Sequence, residues 1–220
     1  MKIAVLGTGM VGQRIADKLV ALGHEVMMGS RTAGNEKAAA WVEAAGQGAS
    51  AGTFAQAAAF GELVFNCTAG VASLEALEAA GADNLGTKIL VDLSNPLDFS
   101  RGFPPRLSIC NDDSLGEAIQ RAFPRLRVVK TLNTMANPIM VEPSLIPGDH
   151  EVFVSGNDAD AKAEVSRLLQ EQFGWQRVTD LGDIGTARGT EAWLLLWTRL
   201  YAALGTAEFN LQLRRKPAEG

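Results

Sequence analysis

The run Gly7-Thr8-Gly9-Met10-Val11-Gly12 has the residue types and the spacing to hold a diphosphate. In a G-x-G-x-x-G turn between a strand and a helix, the first glycine permits the tight turn. The second lets a pyrophosphate approach the backbone, and the third allows close helix–strand packing. The phosphates then rest on the free N–H groups and positive dipole end of the following helix, expected here over 10–22. The apolar run Ile-Ala-Val-Leu at 3–6, directly before the glycines, supplies the strand that the motif requires.

A residue ~20 positions beyond the glycines reaches the adenosine ribose in such folds, and in NAD-binding chains it is an acid. Between Val26 and Asn35 this chain has neither Asp nor Glu. Ser30 and Arg31 stand there instead, and Lys37 follows one turn into the next helix. A carboxylate would repel a 2′-phosphate. A serine hydroxyl can donate to its oxygens, and a guanidinium offers them a planar fork of donors. The expected cofactor is NADP(H), its 2′-phosphate held by Ser30, Arg31 and Lys37; an arginine that is only a solvated loop charge is the alternative reading.

Ligands of an open parallel sheet lie beyond the carboxyl ends of its strands. The remaining strand ends are Thr68-Ala69-Gly70, Asn95-Pro96 and Asn133-Thr134. Small residues at 68–70 leave room for a nicotinamide ribose, Asn95 and Pro96 make a rigid polar turn, and Asn133 could present its amide to a ring. Each is also an ordinary loop residue. No general acid or base stands out, and no catalytic residue is assigned. The single tyrosine, Tyr201, has no lysine four residues later, and neither His24 nor His150 falls at a strand end facing the crevice. Lys130 and Asp92 lie inside apolar strand patterns, where a partly solvated face for one and a cap or turn for the other are the plainer expectations. An alcohol dehydrogenase must move a proton together with the hydride. A reaction between two redox cofactors needs only a dry, aligned contact at ~3–3.5 Å.

Placing these loops along one edge takes alternating strands and helices. Short apolar runs at 26–28, 49–51, 63–68, 89–93 and 127–132 read as further strands, with helical spacing at 36–45, 53–59, 73–80 and 115–123 between them. Alternation of this kind predicts an α/β fold, a Rossmann-type doubly wound parallel sheet covered on both faces. Past Asn133 the pattern loosens around Pro138, Pro143 and Pro147, then resumes with a strand at 151–155, a helix at 159–173 and a strand at 177–181. The extension ends in a long apolar helix over about 186–204. Two domains are expected: 1–135 for NADP binding, and 136–220 as a small C-terminal unit. The last helix leaves little of its circumference polar, so it is buried on all sides, either within one chain or against a second copy.

The bulk numbers bound the function classes. Hydrophobic residues make up 47% and charged residues 20% of the 220, ordinary for a soluble domain, and the net charge of −5 offers no basic field for nucleic acid or anionic lipid. The two cysteines, Cys67 and Cys110, make neither a disulfide framework nor a metal spacing, and the two histidines have no paired ligands, so no metal site is expected. The N-terminal apolar run is broken by glycines and charge, and the run at 192–197 is too short to span a bilayer. The chain reads as cytoplasmic.

On the residues 2–12, the Met28-Gly-Ser-Arg31 element with Glu36-Lys37, the strand Val128-Val-Lys-Thr-Leu-Asn-Thr134 and the late apolar helix, the sequence resembles the F420-dependent NADP oxidoreductases, whose Rossmann domain is shared by the Steap metalloreductases. The resemblance implies hydride transfer between NADPH and coenzyme F420, a C-terminal domain that completes the deazaflavin pocket, and a homodimer. It also places Thr8, Met10 and Val11 at the pyrophosphate and Asn133 and Thr134 near the stacked rings. Thr68-Ala69-Gly70 departs from the Pro and bulky residue that family members often carry there, which leaves other acceptors open: a flavin, a ferric chelate, or a small carbonyl compound. An NADPH-dependent reductase of a small carbonyl or imine, and a non-catalytic NADP(H) redox sensor, are the alternative functions.

Overall fold

The computed structural model describes residues 1–216. Among the described residues, ten strands form an eight-stranded sheet and a small hairpin. The strands are β1 (Lys2–Leu6), β2 (Glu25–Ser30), β3 (Ala49–Thr53), β4 (Leu63–Asn66), β5 (Ile89–Asp92), the two-residue pair β6 (Leu97–Asp98) and β7 (Arg106–Leu107), then β8 (Arg127–Thr131), β9 (Glu151–Ser155) and β10 (Arg177–Gly182). Eight of them form one sheet in the order β10-β9-β8-β5-β4-β1-β2-β3, and β6 pairs with β7 alone. The part from β3 to β8 is the doubly wound arrangement that the alternation predicted.

The strands pair because both of their faces are covered. Along β1, Ile3 and Val5 enter one core cluster and Ala4 and Leu6 the other, as the period of two requires. The first layer holds α1 (Met10–Ala21), α2 (Glu36–Ala45), the short α7 (Asn137–Val141) and α8 (Ala159–Glu171). The second holds α3 (Phe54–Phe60), α4 (Ser73–Ala80), the one-turn α5 (Ala82–Leu85), α6 (Leu115–Ala122) and the start of α9 (Ala187–Leu204). Local signals start these helices: Asn35 caps α2 at Ala38, Thr53 and Gln56 form a reciprocal capping box on α3, and Asp158 caps α8 at Ala161. Trp41 of α2 donates its indole N–H to Asp17 of α1 at 2.7 Å, locking the two helices together.

Two features differ from the sequence expectation. The sheet is not wholly parallel: β9 runs antiparallel to β8, and β10 follows β9. The link from β8 to β9 contains only a three-residue 3-10 turn at Pro143–Leu145 and α7, of five residues. Such a helix is about 7.5 Å long and cannot carry the chain back across the sheet for a parallel entry. The β6–β7 hairpin and α5 were not anticipated either, being too short to show a period. The one sheet takes strands from both sides of the expected 135/136 boundary, since Lys130 and Thr131 of β8 pair with Ser155 and Val154 of β9. Among the described residues no helix is long and apolar enough to cross a membrane.

Candidate functional site

The order of strands reverses between β1 and β4, and a crevice opens there beyond the carboxyl ends of the strands. The three motif glycines meet three different demands in it. Gly7 has φ of +118°, and a Cβ there would lie 2.7 Å from the Cys67 carbonyl oxygen. A Cβ at Gly12 would collide with the Gly7 carbonyl, so α1 can sit this close to β1 only with hydrogen at that position. A Cβ at Gly9 would meet nothing within 4 Å: Gly9 faces the open crevice. Gly9 is also the residue before α1, with no side-chain cap and no acid in the first turn, so the leading N–H groups of Met10 and Val11 face the same space. This is the cradle a diphosphate needs, and Thr8 borders it.

On the β2 side lies a cavity of about 370 Å³, walled by Ser30, Arg31, Asn35 and Phe54 and, across it, by Ala72, Glu75, Ala76 and Ala79. Arg31 and Glu75 are each 70% exposed, with Nε 3.6 Å from Oε1. Ser30 is buried and donates its hydroxyl to the Thr32 carbonyl at 2.8 Å, so, contrary to expectation, its proton shapes the turn and is not free for a phosphate. Lys37 is exposed on the first turn of α2 and is not part of the wall. Asn35, Glu75 and the alanine face of α4 were missed from sequence; nothing local marks them.

Around the Cys67-Thr68-Ala69 segment, which lines both spaces, a second cleft of about 770 Å³ opens. Thr68, Ala69, Gly70, Asn95 and Asn133 line it, together with Met10 and Val11, expected at the pyrophosphate, and with Val71, Phe99, Met135, Leu194 and Trp197. Pro96 and Thr134 are buried behind its wall, where the Thr134 carbonyl accepts the Trp193 indole N–H at 2.9 Å. Gly70 is small for a reason other than a ribose: a Cβ there would strike the Asn95 carbonyl. Asn133 does not hold its amide free for a ring. It donates Nδ2 to Asn95 Oδ1 at 2.9 Å, while Asn95 donates to the Asn133 carbonyl at 2.8 Å. This reciprocal latch joins the β5 and β8 loops, and it follows Leu132 at φ of +61°, an unusual backbone for a bulky residue that turns the chain sharply out of β8. Opposite, Trp197 stacks on Tyr201 at 5.7 Å and on Phe209 at 5.4 Å. The Trp197/Tyr201 spacing of four was the available signal for this wall.

Two titratable groups line the larger cleft. Asp98 accepts from the Ser100 backbone N–H and hydroxyl, which hold its carboxyl below the ordinary range. Burial first, and then the charge of Asp92, push the Cys67 thiol well above its usual range. One is an ionised acceptor and the other an inert thiol, so neither supplies a proton near neutrality. Among the described residues no group of His, Cys, Asp and Glu is placed to hold a metal ion.

Lys130 and Asp92 are neither solvated nor capping. Both are completely buried, with Lys130 Nζ 2.6 Å from Asp92 Oδ2, 2.8 Å from Glu191 Oε1 and 2.6 Å from the Ser94 carbonyl. Burial alone would lower this ammonium; the two carboxylates outweigh it and raise it above the ordinary lysine range. Glu191 also accepts from the backbone N–H groups of Leu115 and Gly116 at the start of α6. It was missed because its partners are far off in sequence.

Comparisons with known proteins agree with this geometry. Residues 2–96 match the family model described as NADP oxidoreductase, coenzyme F420-dependent. A crystal structure from Arthrobacter sp. FB24, provisionally named an F420-dependent NADP-reductase, is 55% identical, with a TM-score of 0.93 over 98% of this chain and all of that one. Metalloreductase STEAP3 of Rattus norvegicus is 31% identical over 196 residues, which are 87% of this chain but 36% of the rat protein. A reductive aminase from Aspergillus terreus is 24% identical with a TM-score of 0.64, covering 93% of this chain and 62% of the aminase, and shares the fold.

Proposed function

This chain belongs to the family of coenzyme F420-dependent NADP oxidoreductases, and we propose that it passes a hydride between NADP(H) and coenzyme F420 or a flavin-like acceptor. The crevice fits such a donor: an uncapped helix start with Gly9 open before it, a guanidinium at the end of β2, and an apolar cleft continuous with both. When bound, the nicotinamide supplies or receives the hydride at its ring carbon. The protein's part is placement. The N–H groups at the head of α1 would hold the diphosphate and Arg31 the 2′-phosphate, with Ser30 shaping the turn that carries Arg31 and Lys37 adding a charge from the next helix. The Asn95–Asn133 latch fixes the floor under the ring, while Val71, Leu194 and Trp197 keep water out.

The observation that carries the acceptor class is the larger cleft itself. At about 770 Å³ it has room for a second flat ring system beside a nicotinamide, and the titratable groups on its wall cannot deliver a proton. Reduction of a carbonyl or imine calls for a positioned acid; transfer between two stacked rings calls for alignment alone. Leu194, Trp197 and Ala207, from the C-terminal part of the chain, would complete the acceptor side. Stopped-flow oxidation of bound NADPH against F420, FMN, ferric chelates and a carbonyl and imine panel tests this. Fast single-turnover reaction with F420 or FMN is expected. Turnover of carbonyls or imines alone would replace the reading with a small-substrate reductase, and tight binding with silence throughout would make the chain an NADP(H) sensor.

A further inference from the structure

The buried Asp92–Lys130–Glu191 cluster lies outside the placement mechanism just described, yet it stands directly behind the wall of the larger cleft. Asp92 Oδ1 accepts from Ser94 Oγ at 2.6 Å, from Asn66 Nδ2 at 2.8 Å and from the Ser94 N–H at 3.2 Å, while Oδ2 takes Lys130. Glu191 takes Lys130 and two backbone N–H groups. Apart from the Ser94 hydroxyl, which can donate or accept, every group that meets these two carboxyls is a donor, and the Lys130 ammonium bridges them, so both act as hydrogen-bond acceptors. Two carboxylates and one ammonium leave a net charge of minus one in the interior. Glu191 shares its charge between Lys130 and the positive start of α6, so the excess is felt mainly on the Asp92 side.

That side faces the cleft through two hydroxyls. Ser94, which lines the cleft, donates its hydroxyl to Asp92 and accepts from Asn66 Nδ2 at 3.4 Å, so its orientation is set by that carboxylate. Thr68, on the same wall, donates to Asn66 Oδ1 at 2.7 Å, and the same Asn66 donates to Asp92. The acceptor-only carboxylate thus orients the polar atoms of the wall.

We infer that Asp92 and Glu191 are positioning residues whose net negative charge, relayed by Ser94 and by Asn66 with Thr68, favours the oxidised, cationic form of a nicotinamide lying on that wall. The inference rests on the proposed placement of NADP(H). A nicotinamide gains a positive charge as its hydride leaves, and a fixed negative charge that needs no rearrangement stabilises that change. Loss of one charge on the order of 10 Å away, at an effective dielectric of about 20, alters the ratio of affinities for the two redox forms about tenfold.

The test is the ratio of dissociation constants for NADP⁺ and NADPH, measured by titrating NADPH fluorescence and by displacing it with NADP⁺. Asp92→Asn and Glu191→Gln each remove one charge while keeping the side-chain shape. Both variants are expected to weaken NADP⁺ relative to NADPH by about tenfold. A purely structural role would weaken both forms alike. If both nucleotides bind and the ratio is unmoved in whichever variant folds, the inference is overturned; the variants lie on different elements, so one unfolded protein does not silence the test. If the unmodified protein binds neither nucleotide, the placement itself fails.

Discussion

On the proposed placement, Arg31 is the residue that sets cofactor choice. Its contact with Glu75 is long and solvent-exposed, the kind of pair that contributes little, so the guanidinium is free to turn to a phosphate. A charge-assisted hydrogen bond contributes ~1.5–3 kcal/mol. Arg31→Ala should therefore weaken NADPH about ten- to a hundredfold in a fluorescence titration and leave NADH nearly unchanged; equal losses would rule out a 2′-phosphate contact. The glycines make a complementary pair. Gly9→Ala places a methyl in open space and should leave urea stability within about 1 kcal/mol while weakening NADPH and NADH together. Gly12→Ala drives a methyl into the Gly7 carbonyl and should lower the melting temperature before any ligand is added. A Gly12→Ala protein as stable as its parent would mean that the α1–β1 approach is not as tight as described.

At the scale of elements, α9 explains what the sequence could and could not tell. Its apolar residues suggest burial all round, but one chain covers only the face with Thr190, Glu191, Leu194 and Thr198. Ala192, Leu195, Leu196, Ala202 and Ala203 form an exposed stripe, with Leu195 and Leu196 45% and 52% accessible. We propose that a second copy covers it. Leu195→Glu with Leu196→Glu is then expected to halve the mass seen by light scattering without lowering the helix content; an unmodified protein that is already monomeric would refute this. The strands of the doubly wound part were legible because both-face burial writes itself as continuous apolar runs, and so were the loops at their ends. What escaped had no local signature. The two-residue strands of the hairpin have no period, and the direction of β9 depends on its connection, not on its own residues. The partner of Lys130 lies 38 positions away on β5, so a lysine in an apolar strand could not be read as one member of a buried cluster. Asn133 lines the cleft, and one N–H of its amide is engaged by Asn95, a partner 38 positions away that its own surroundings do not announce.

At the scale of the whole molecule, the buried groups set the pH range of stability, and the sign differs at each edge. Asp98, Asp113, Glu117 and Asp149 are held below their ordinary values of 3.8 and 4.5, each first by a hydrogen bond, to Ser100, Arg121, Arg188 and Arg177 respectively. Their contribution is present above those values and lost as pH falls through the lower folded ones. Apart from Glu117, whose side chain is 13% exposed, these groups are partly or well solvated, so the acid limb is shallow. The alkaline edge comes from the interior. Lys130 contributes fully below 10.5 and loses that contribution only as pH rises through its raised folded value. Cys67 acts earlier: above 9.0 the unfolded chain releases the thiol proton while the folded chain keeps it, so each pH unit beyond that point removes about 1.4 kcal/mol from the unfolding free energy. Cys67→Ala deletes a small buried group and should cost about 1 kcal/mol at neutrality, but it also deletes this titration. Urea unfolding from neutral pH into the alkaline range should then show the parent declining beyond pH 9.0 and the variant holding level until the Lys130 range, so that the two curves converge. Parallel curves would mean that Cys67 can ionise in the folded chain, and that the wall it shares between the two clefts is open to water.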